Sequence, residues 1–64
     1  MPTIRVELFE GRTQEQKKKL VQALTQACVE TLGSKAEGVD VILYDIKKTD
    51  WATGGELWSE KKKG

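Results

Sequence analysis

Apolar and polar side chains alternate at the start of the chain, from Thr3 to Leu8. Isoleucine, valine and leucine occupy positions 4, 6 and 8, and threonine, arginine and glutamate lie between them. Because successive side chains of a strand point to opposite faces of a sheet, this period of two predicts a β-strand with one apolar face.

A helical pattern follows the first strand. Thr13 is a favourable N-cap, Gln16 completes a capping box three residues later, and Gly33 is a natural helix stop. We therefore predict a helix over Gln14–Leu32, roughly 28 Å long at 1.5 Å per residue. Its apolar stripe, at helical spacing, consists of Leu20, Val21, Ala23, Leu24, Ala27, Cys28 and Leu32.

The segment Val39–Ile46 is predicted to form a second strand that is apolar on both faces. One face carries Val39, Val41 and Leu43, and the other carries Asp40, Ile42, Tyr44 and Ile46. Such a strand has to be covered on both faces, and a single helix covers only one. We therefore expect another subunit to cover the second face.

The order strand, helix, strand defines the expected fold. A helix that connects two strands of one sheet implies a parallel pair with a right-handed crossover. The Gly54-Gly55 pair marks a tight turn between short extended pieces, which predicts a C-terminal hairpin. The expected fold class is α/β, more specifically α+β, with one β-α-β domain over residues 1–64.

Size and cysteine content favour association with further copies. A chain of 64 residues is small for a self-sufficient core. Cys28 is the one cysteine and there is no histidine, so neither an intrachain disulfide nor a zinc site is expected. Oligomerisation is the remaining route to stability.

Charge and hydropathy narrow the possible partners and location. The net charge of +1 is too small to indicate nucleic-acid binding. The apolar runs are too short to span a bilayer, and the N-terminus shows no signal-peptide core. We therefore expect no nucleic-acid or membrane partner and a cytoplasmic location.

Pro2 is the first residue with distinctive chemistry. Removal of Met1 would leave its ring nitrogen as a free secondary amine at the start of a strand. Burial disfavours the charged form and lowers the pKa of an amine from about 8, so such a group can shuttle protons near neutral pH. The alternative is an ordinary start residue without a chemical role.

Four features occur in a characteristic order: the opening Met-Pro, the segment Glu10–Leu20 (EGRTQEQKKKL), the VDVILYDI strand and the WATGGE turn. In this the whole chain resembles the 4-oxalocrotonate tautomerase family, whose members use an N-terminal proline as catalytic base. The resemblance implies β-α-β subunits, dimers with a four-stranded sheet, and commonly a hexamer of three dimers. It also implies cofactor-free keto–enol tautomerisation of enols such as 2-hydroxymuconate, and a place in aromatic catabolism.

The resemblance assigns roles to particular residues. Pro2 matches the catalytic proline, and Arg12 matches an arginine that binds a substrate carboxylate. Trp51 lies where the family has an aromatic residue that lines the pocket. The alternatives are a solvated loop residue for Arg12 and an interface residue for Trp51.

Asp40 departs from the family pattern. The typical member has an arginine here, which binds the second carboxylate of the substrate and draws electron density toward its carbonyl oxygen. An ionised aspartate cannot donate a hydrogen bond and repels an anion. We therefore expect a substrate with one carboxylate near Arg12 and an apolar remainder against Trp51, such as an aryl enol pyruvate.

Two other functions stay open from the sequence. The first is hydration or dehalogenation of a small unsaturated acid, with a cationic Pro2 as acid and a carboxylate such as Asp40 activating water. The second is a non-catalytic DNA-binding oligomer that uses the lysines of Lys17–Lys19 and Lys61–Lys63. The near-neutral charge and the two-faced second strand argue against DNA binding.

Overall fold

The computed structural model describes residues 2–61. Met1, whose removal the proline chemistry requires, and most of the basic segment Lys61–Lys63 lie outside these residues. The elements of the described part follow the predicted order, with strands β1 (Thr3–Phe9), β2 (Asp40–Ile46), β3 (Ala52–Thr53) and β4 (Glu56–Leu57), helix α1 (Gln14–Leu32), and 3-10 turns at Ala36–Gly38, Lys48–Asp50 and Trp58–Glu60.

Strands β1 and β2 form a parallel pair, as predicted. Their register runs from Thr3 opposite Asp40 to Phe9 opposite Ile46. One further backbone hydrogen bond extends the ladder at its far end, where the Glu10 N–H donates to the Ile46 carbonyl at 2.9 Å. The β-α-β fold class inferred from the sequence is therefore confirmed.

The predicted bounds of α1 are confirmed by its caps. The Thr13 hydroxyl accepts from the Gln16 N–H at 3.1 Å, and the Gln16 side chain accepts from the Thr13 N–H at 2.9 Å. Gly33 follows the helix with φ at 70°, a left-handed conformation that glycine adopts at low cost. The capping box and the glycine stop together account for both ends.

The strand bounds differ from the prediction by one residue. β2 begins at Asp40 rather than Val39, because the Val39 N–H donates to the Ala36 carbonyl at 3.1 Å and closes the preceding 3-10 turn. β1 continues beyond Leu8 to Phe9, which still pairs with Ile46. These shifts leave the register and the assignment of faces unchanged.

Helix α1 covers one face of the strand pair. Leu20 shares a surface cleft with Leu8, and Val21 shares another with Leu43. The Lys17 ammonium forms an ion pair with the Asp45 carboxylate across the same interface. In the single protomer, Ala23, Ala27 and Leu32 of the expected stripe are exposed. The half-buried residues of the helix are Lys17, Leu20, Val21, Leu24, Thr25, Cys28 and Val29.

The opposite face of the strand pair remains open in the protomer. Ile42 and Tyr44 are each 40% exposed, although both are large and Ile42 is wholly apolar. No side chain of residues 2–61 is fully buried. This agrees with the expectation that one helix cannot cover both faces of β2.

The C-terminal hairpin is confirmed. β3 and β4 pair antiparallel, with Ala52 opposite Leu57, and the turn uses Gly54 and Gly55 at φ 64° and 86°. The Trp58 N–H donates to the Trp51 carbonyl at 2.8 Å and closes the hairpin. Within the described residues, no helix has the length and apolar character needed to cross a bilayer.

Candidate active site

Pro2 lies at the rim of a cavity at the start of the strand pair. The cavity has a volume of about 390 Å³, and its walls are formed by Pro2, Ser34, Lys35, Glu37 and Gly38. Pro2 itself is half-buried. The loop between α1 and β2 thus places one cationic and one anionic residue beside the proline.

Backbone hydrogen bonds hold the walls of this cavity together. The Asp40 N–H donates to the Pro2 carbonyl at 3.0 Å and ties the N-terminal segment to the start of β2. The Gly38 N–H donates to the Lys35 carbonyl at 2.9 Å and closes the adjacent 3-10 turn. The backbones of Pro2 and Lys35 are therefore both held by hydrogen bonds from the segment at the start of β2.

Asp40 is next to Pro2 but is not among the residues that line the cavity. It is exposed, and alternation along β2 places it on the face opposite α1. The two ion pairs within residues 2–61 are Lys17–Asp45 and Lys61–Glu56, and neither includes Asp40. Asp40, which is expected to repel an anionic substrate, is thus held near Pro2 by its backbone hydrogen bond.

Arg12 lies at the other end of the strand pair, in the connection between β1 and α1. Its Nη1 donates to the Phe9 carbonyl at 3.1 Å. A guanidinium carries five N–H donors in a rigid fork, so this contact fixes the group and leaves donors for a carboxylate. Arg12 is exposed on the rim of a cleft of about 220 Å³ that Leu8 and Leu20 also line.

Three aromatic rings cluster at the same end as Arg12. The ring centroids of Phe9 and Trp51 are 4.6 Å apart, and those of Phe9 and Trp58 are 5.4 Å apart, with tilted planes. The Trp58 Nε1–H donates to the Thr53 hydroxyl at 2.9 Å, which fixes the orientation of the indole. The Lys48 ammonium lies 5.7 Å from the Phe9 centroid. Tilted rings at these distances attract one another beyond simple area burial.

Sequence reasoning found Trp51 but missed its two partners. Phe9 occupies a position that the alternation of β1 assigns to the polar face, and this break in the pattern was the available signal. Trp58 gave no signal in the sequence, because nothing in a linear pattern shows that the hairpin brings it to Phe9. The aromatic cluster is therefore a product of tertiary structure.

The predicted site residues fall into two groups. Pro2 and Asp40 lie at the start of the strand pair, whereas Arg12 and Trp51 lie at its end. At a rise of about 3.3 Å per residue, the six steps from Thr3 to Phe9 correspond to ~20 Å. One small substrate molecule cannot touch both groups of the same chain.

Metal ligands do not come together in the part of the chain that the structure describes. No group of three histidine, cysteine, aspartate or glutamate side chains within residues 2–61 is arranged to hold a metal ion.

Comparison with known proteins identifies the family. The family model described as "Tautomerase enzyme" matches residues 2–61. The 2-hydroxymuconate tautomerase of Bacillus subtilis is 38% identical over 60 residues, which cover 94% of this chain and 97% of the relative.

Solved structures agree with that match. A crystal structure of a 4-oxalocrotonate tautomerase homologue superposes with a TM-score of 0.89 at 43% identity, over 98% of this chain and 100% of the other. A heterohexamer 4-oxalocrotonate tautomerase from Chloroflexus aurantiacus gives a TM-score of 0.89 at 31% identity, over 97% and 100% of the two chains. The chain belongs to the tautomerase family, and its expected assignment to the isomerases is confirmed.

Proposed function

We propose that this chain is a cofactor-independent keto–enol tautomerase of small enol and 2-oxo acids such as 2-hydroxymuconate or phenylenolpyruvate. The general base is the Pro2 amine after removal of Met1. The observation that carries the proposal is the position of Pro2 on a cavity large enough for a small acid. The relationship to a 2-hydroxymuconate tautomerase supports the same substrate class.

The reaction needs only one proton carrier. The secondary amine accepts the hydroxyl proton of the enol, the oxygen lone pair forms the carbonyl, and the displaced double-bond electrons take the proton at carbon. The protonated amine delivers that proton, so no oxidant or reductant is involved. If Met1 remains, the Pro2 nitrogen is an amide whose lone pair is delocalised, and this route is closed.

A complete site requires two chains. Pro2 supplies the base, and Arg12 and Trp51 of another protomer supply the carboxylate contact and the apolar wall. The ~20 Å between the two ends of one strand pair supports this arrangement. The open β2 face and the absence of a fully buried side chain in residues 2–61 support a homo-oligomer, with a hexamer as the expected size.

Subunit mixing tests the shared site. Pro2→Ala and Arg12→Ala chains are each expected to be weakly active alone. After joint unfolding and refolding in equal amounts, about a quarter of the sites should combine an intact Pro2 with an intact Arg12, because each site draws on two chains. Mixtures no more active than the separate variants would contradict a shared site.

Light scattering tests the assembly. We expect a particle of several subunits at micromolar concentration, since a 64-residue protomer exposes one face of its sheet. A compact, stable monomer would contradict both the oligomer and the two-chain site.

One observation favours a second function, the hydration or dehalogenation of small unsaturated acids. Glu37 lines the Pro2 cavity, whereas Asp40, the carboxylate first considered for this role, does not. A carboxylate at this position can activate water while a cationic Pro2 acts as acid. Halide release from a 3-haloacrylate, and its loss in Glu37→Gln, would establish this activity.

The DNA-binding alternative is not carried forward. Lys17 is engaged with Asp45, and Lys61 with Glu56, so two of the lysines on which it rests serve intramolecular ion pairs. The cytoplasmic location and a role in aromatic catabolism stay predictions.

A further inference from the structure

The cavity on Pro2 contains a cationic residue that neither the resemblance nor the sequence pattern assigned to the reaction. Lys35 lines this cavity, directly before the 3-10 turn Ala36–Gly38. Its carbonyl accepts the Gly38 N–H at 2.9 Å, and the Asp40 N–H binds the Pro2 carbonyl. The backbone of Lys35 is thus held beside Pro2, while its four-carbon stem lets the ammonium reach into the cavity.

Within residues 2–61, Lys35 forms no ion pair with the acidic residue of its cavity. Glu37 lines the same cavity, but neither of the two ion pairs within residues 2–61 joins it to Lys35. Asp40, where the family has an arginine, carries a negative charge and cannot donate a hydrogen bond when ionised. Lys35 is the cationic residue among those that line the Pro2 cavity.

The proposed tautomerisation determines where a positive charge would stabilise the transition state. When the proton moves between oxygen and carbon, negative charge gathers on the enol oxygen, and a donor aimed at that oxygen stabilises the transition state. The oxygen is bonded to the carbon next to the one that Pro2 protonates. A donor to it must therefore reach the cavity that holds Pro2, and Lys35 meets this condition within one chain.

We propose that the Lys35 ammonium donates a hydrogen bond to the enol oxygen of the substrate and supplies the positive charge that Asp40 does not. The inference rests on the proposed tautomerase function. Lys35 keeps all its protons during the step, and the transferred proton travels through Pro2 alone. Glu37, with the opposite charge in the same cavity, weakens the binding of anions.

Steady-state kinetics with phenylenolpyruvate test this role. Lys35→Gln should lower kcat on the order of 10²-fold and change KM little, because the contact strengthens only as charge develops. Lys35→Arg should retain part of the rate, and Lys19→Gln, an exposed helix lysine, should match the parent. A kcat for Lys35→Gln equal to that of the parent, or an effect confined to KM, would overturn the proposal.

Binding of oxalate gives a readout that does not depend on turnover. Oxalate is planar and anionic like the enolate of a 2-oxo acid, and calorimetry measures its affinity directly. Lys35→Gln should weaken binding about 10-fold, as expected for loss of a charge-assisted contact. Glu37→Gln should strengthen binding several-fold, because it removes a like charge at short range.

Lys35→Gln and Glu37→Gln remove opposite charges from the same cavity, so opposite shifts in oxalate affinity identify an effect of charge. Equal oxalate affinity in the parent and Lys35→Gln, or shifts of the same sign in both variants, would overturn the assignment. Light scattering and circular dichroism establish that each variant is folded and assembled. If Pro2→Ala turns over as fast as the parent, the proposed base is wrong, and oxalate binding still decides the role of Lys35.

Discussion

The two ends of the β1–β2 pair are built differently and offer complementary chemistry. The end at Pro2 is a cavity whose walls are held by backbone hydrogen bonds, with Lys35 and Glu37 as its charged residues. The end at Arg12 is an aromatic cluster flanked by cations. In the proposed function, the first end supplies the base, and the second supplies the contacts for an aryl group and a carboxylate.

This difference indicates how a chain of 64 residues can hold a complete site. Neither end alone carries both the proposed base and the proposed substrate anchor, and a strand ~20 Å long separates them. In the proposed oligomer, association does two things: it covers the open face of β2, and it brings unlike ends of two chains together. Stability and catalysis then depend on the same contacts.

The largest effect should come from blocking the amine at the Pro2 end. A form that retains Met1, verified by intact mass, should lose on the order of 10²–10⁴-fold in kcat/KM for phenylenolpyruvate, since general-base catalysis is removed. Pro2→Ala should lose less, because a primary amine remains at its terminus. Both forms should assemble normally by light scattering. Equal rates for the Met1-retaining and processed forms would assign the base elsewhere.

A smaller loss is expected at the other end. Arg12→Ala removes a charge-assisted contact worth about 1.5–3 kcal/mol, which corresponds to about 10- to 100-fold in kcat/KM. The loss should appear mainly in KM and affect both phenylenolpyruvate and 2-hydroxymuconate. Lys19→Ala is the control for removal of a positive charge. If Arg12→Ala lowers kcat and leaves KM unchanged, Arg12 does not anchor the ground state.

Asp40→Arg should alter substrate preference at the Pro2 end. Replacing a like charge by a donor should raise kcat/KM for 2-hydroxymuconate about 10-fold, and change phenylenolpyruvate less, since only the first substrate has a second carboxylate. The ratio of the two rates in parent and variant is the quantity to measure. A parent that already prefers the dicarboxylate by a wide margin, or no change in either substrate, would show that Asp40 does not face the site.

The smallest effect concerns the aromatic cluster. Trp58→Leu removes a ring pair with Phe9 that stabilises the folded cluster by about 0.5–1.5 kcal/mol. Because the cluster then holds Trp51 less firmly, kcat/KM for phenylenolpyruvate should fall by at most about 10-fold. An alkyl enol pyruvate should be affected less. Trp58→Phe retains a ring against Phe9 and should retain most of the rate with the aryl substrate. Equal losses for aryl and alkyl substrates would mean that Trp58 supports the hairpin and not the aryl group.

Local patterns were sufficient where neighbouring residues determine the structure. The capping box at Thr13 and Gln16 and the stop at Gly33 define α1, because helix ends are satisfied by residues within one turn. The predicted start of β2 was wrong by one residue, since the Val39 N–H closes the 3-10 turn Ala36–Gly38 through a backbone hydrogen bond that no side-chain pattern reveals.

For the site, the sequence itself pointed to Pro2, and the family resemblance added Arg12, Trp51 and Asp40, but neither gave their arrangement. Alternation and helical spacing are local properties, so they determined the order of elements and the two apolar faces of β2. The grouping of Lys35 with Pro2 and of Phe9 with Trp51 and Trp58 was decided by the tertiary structure. The parallel register determines which residues lie at the same end of the β1–β2 pair. The distance between two chain segments cannot be read from the local pattern of either segment.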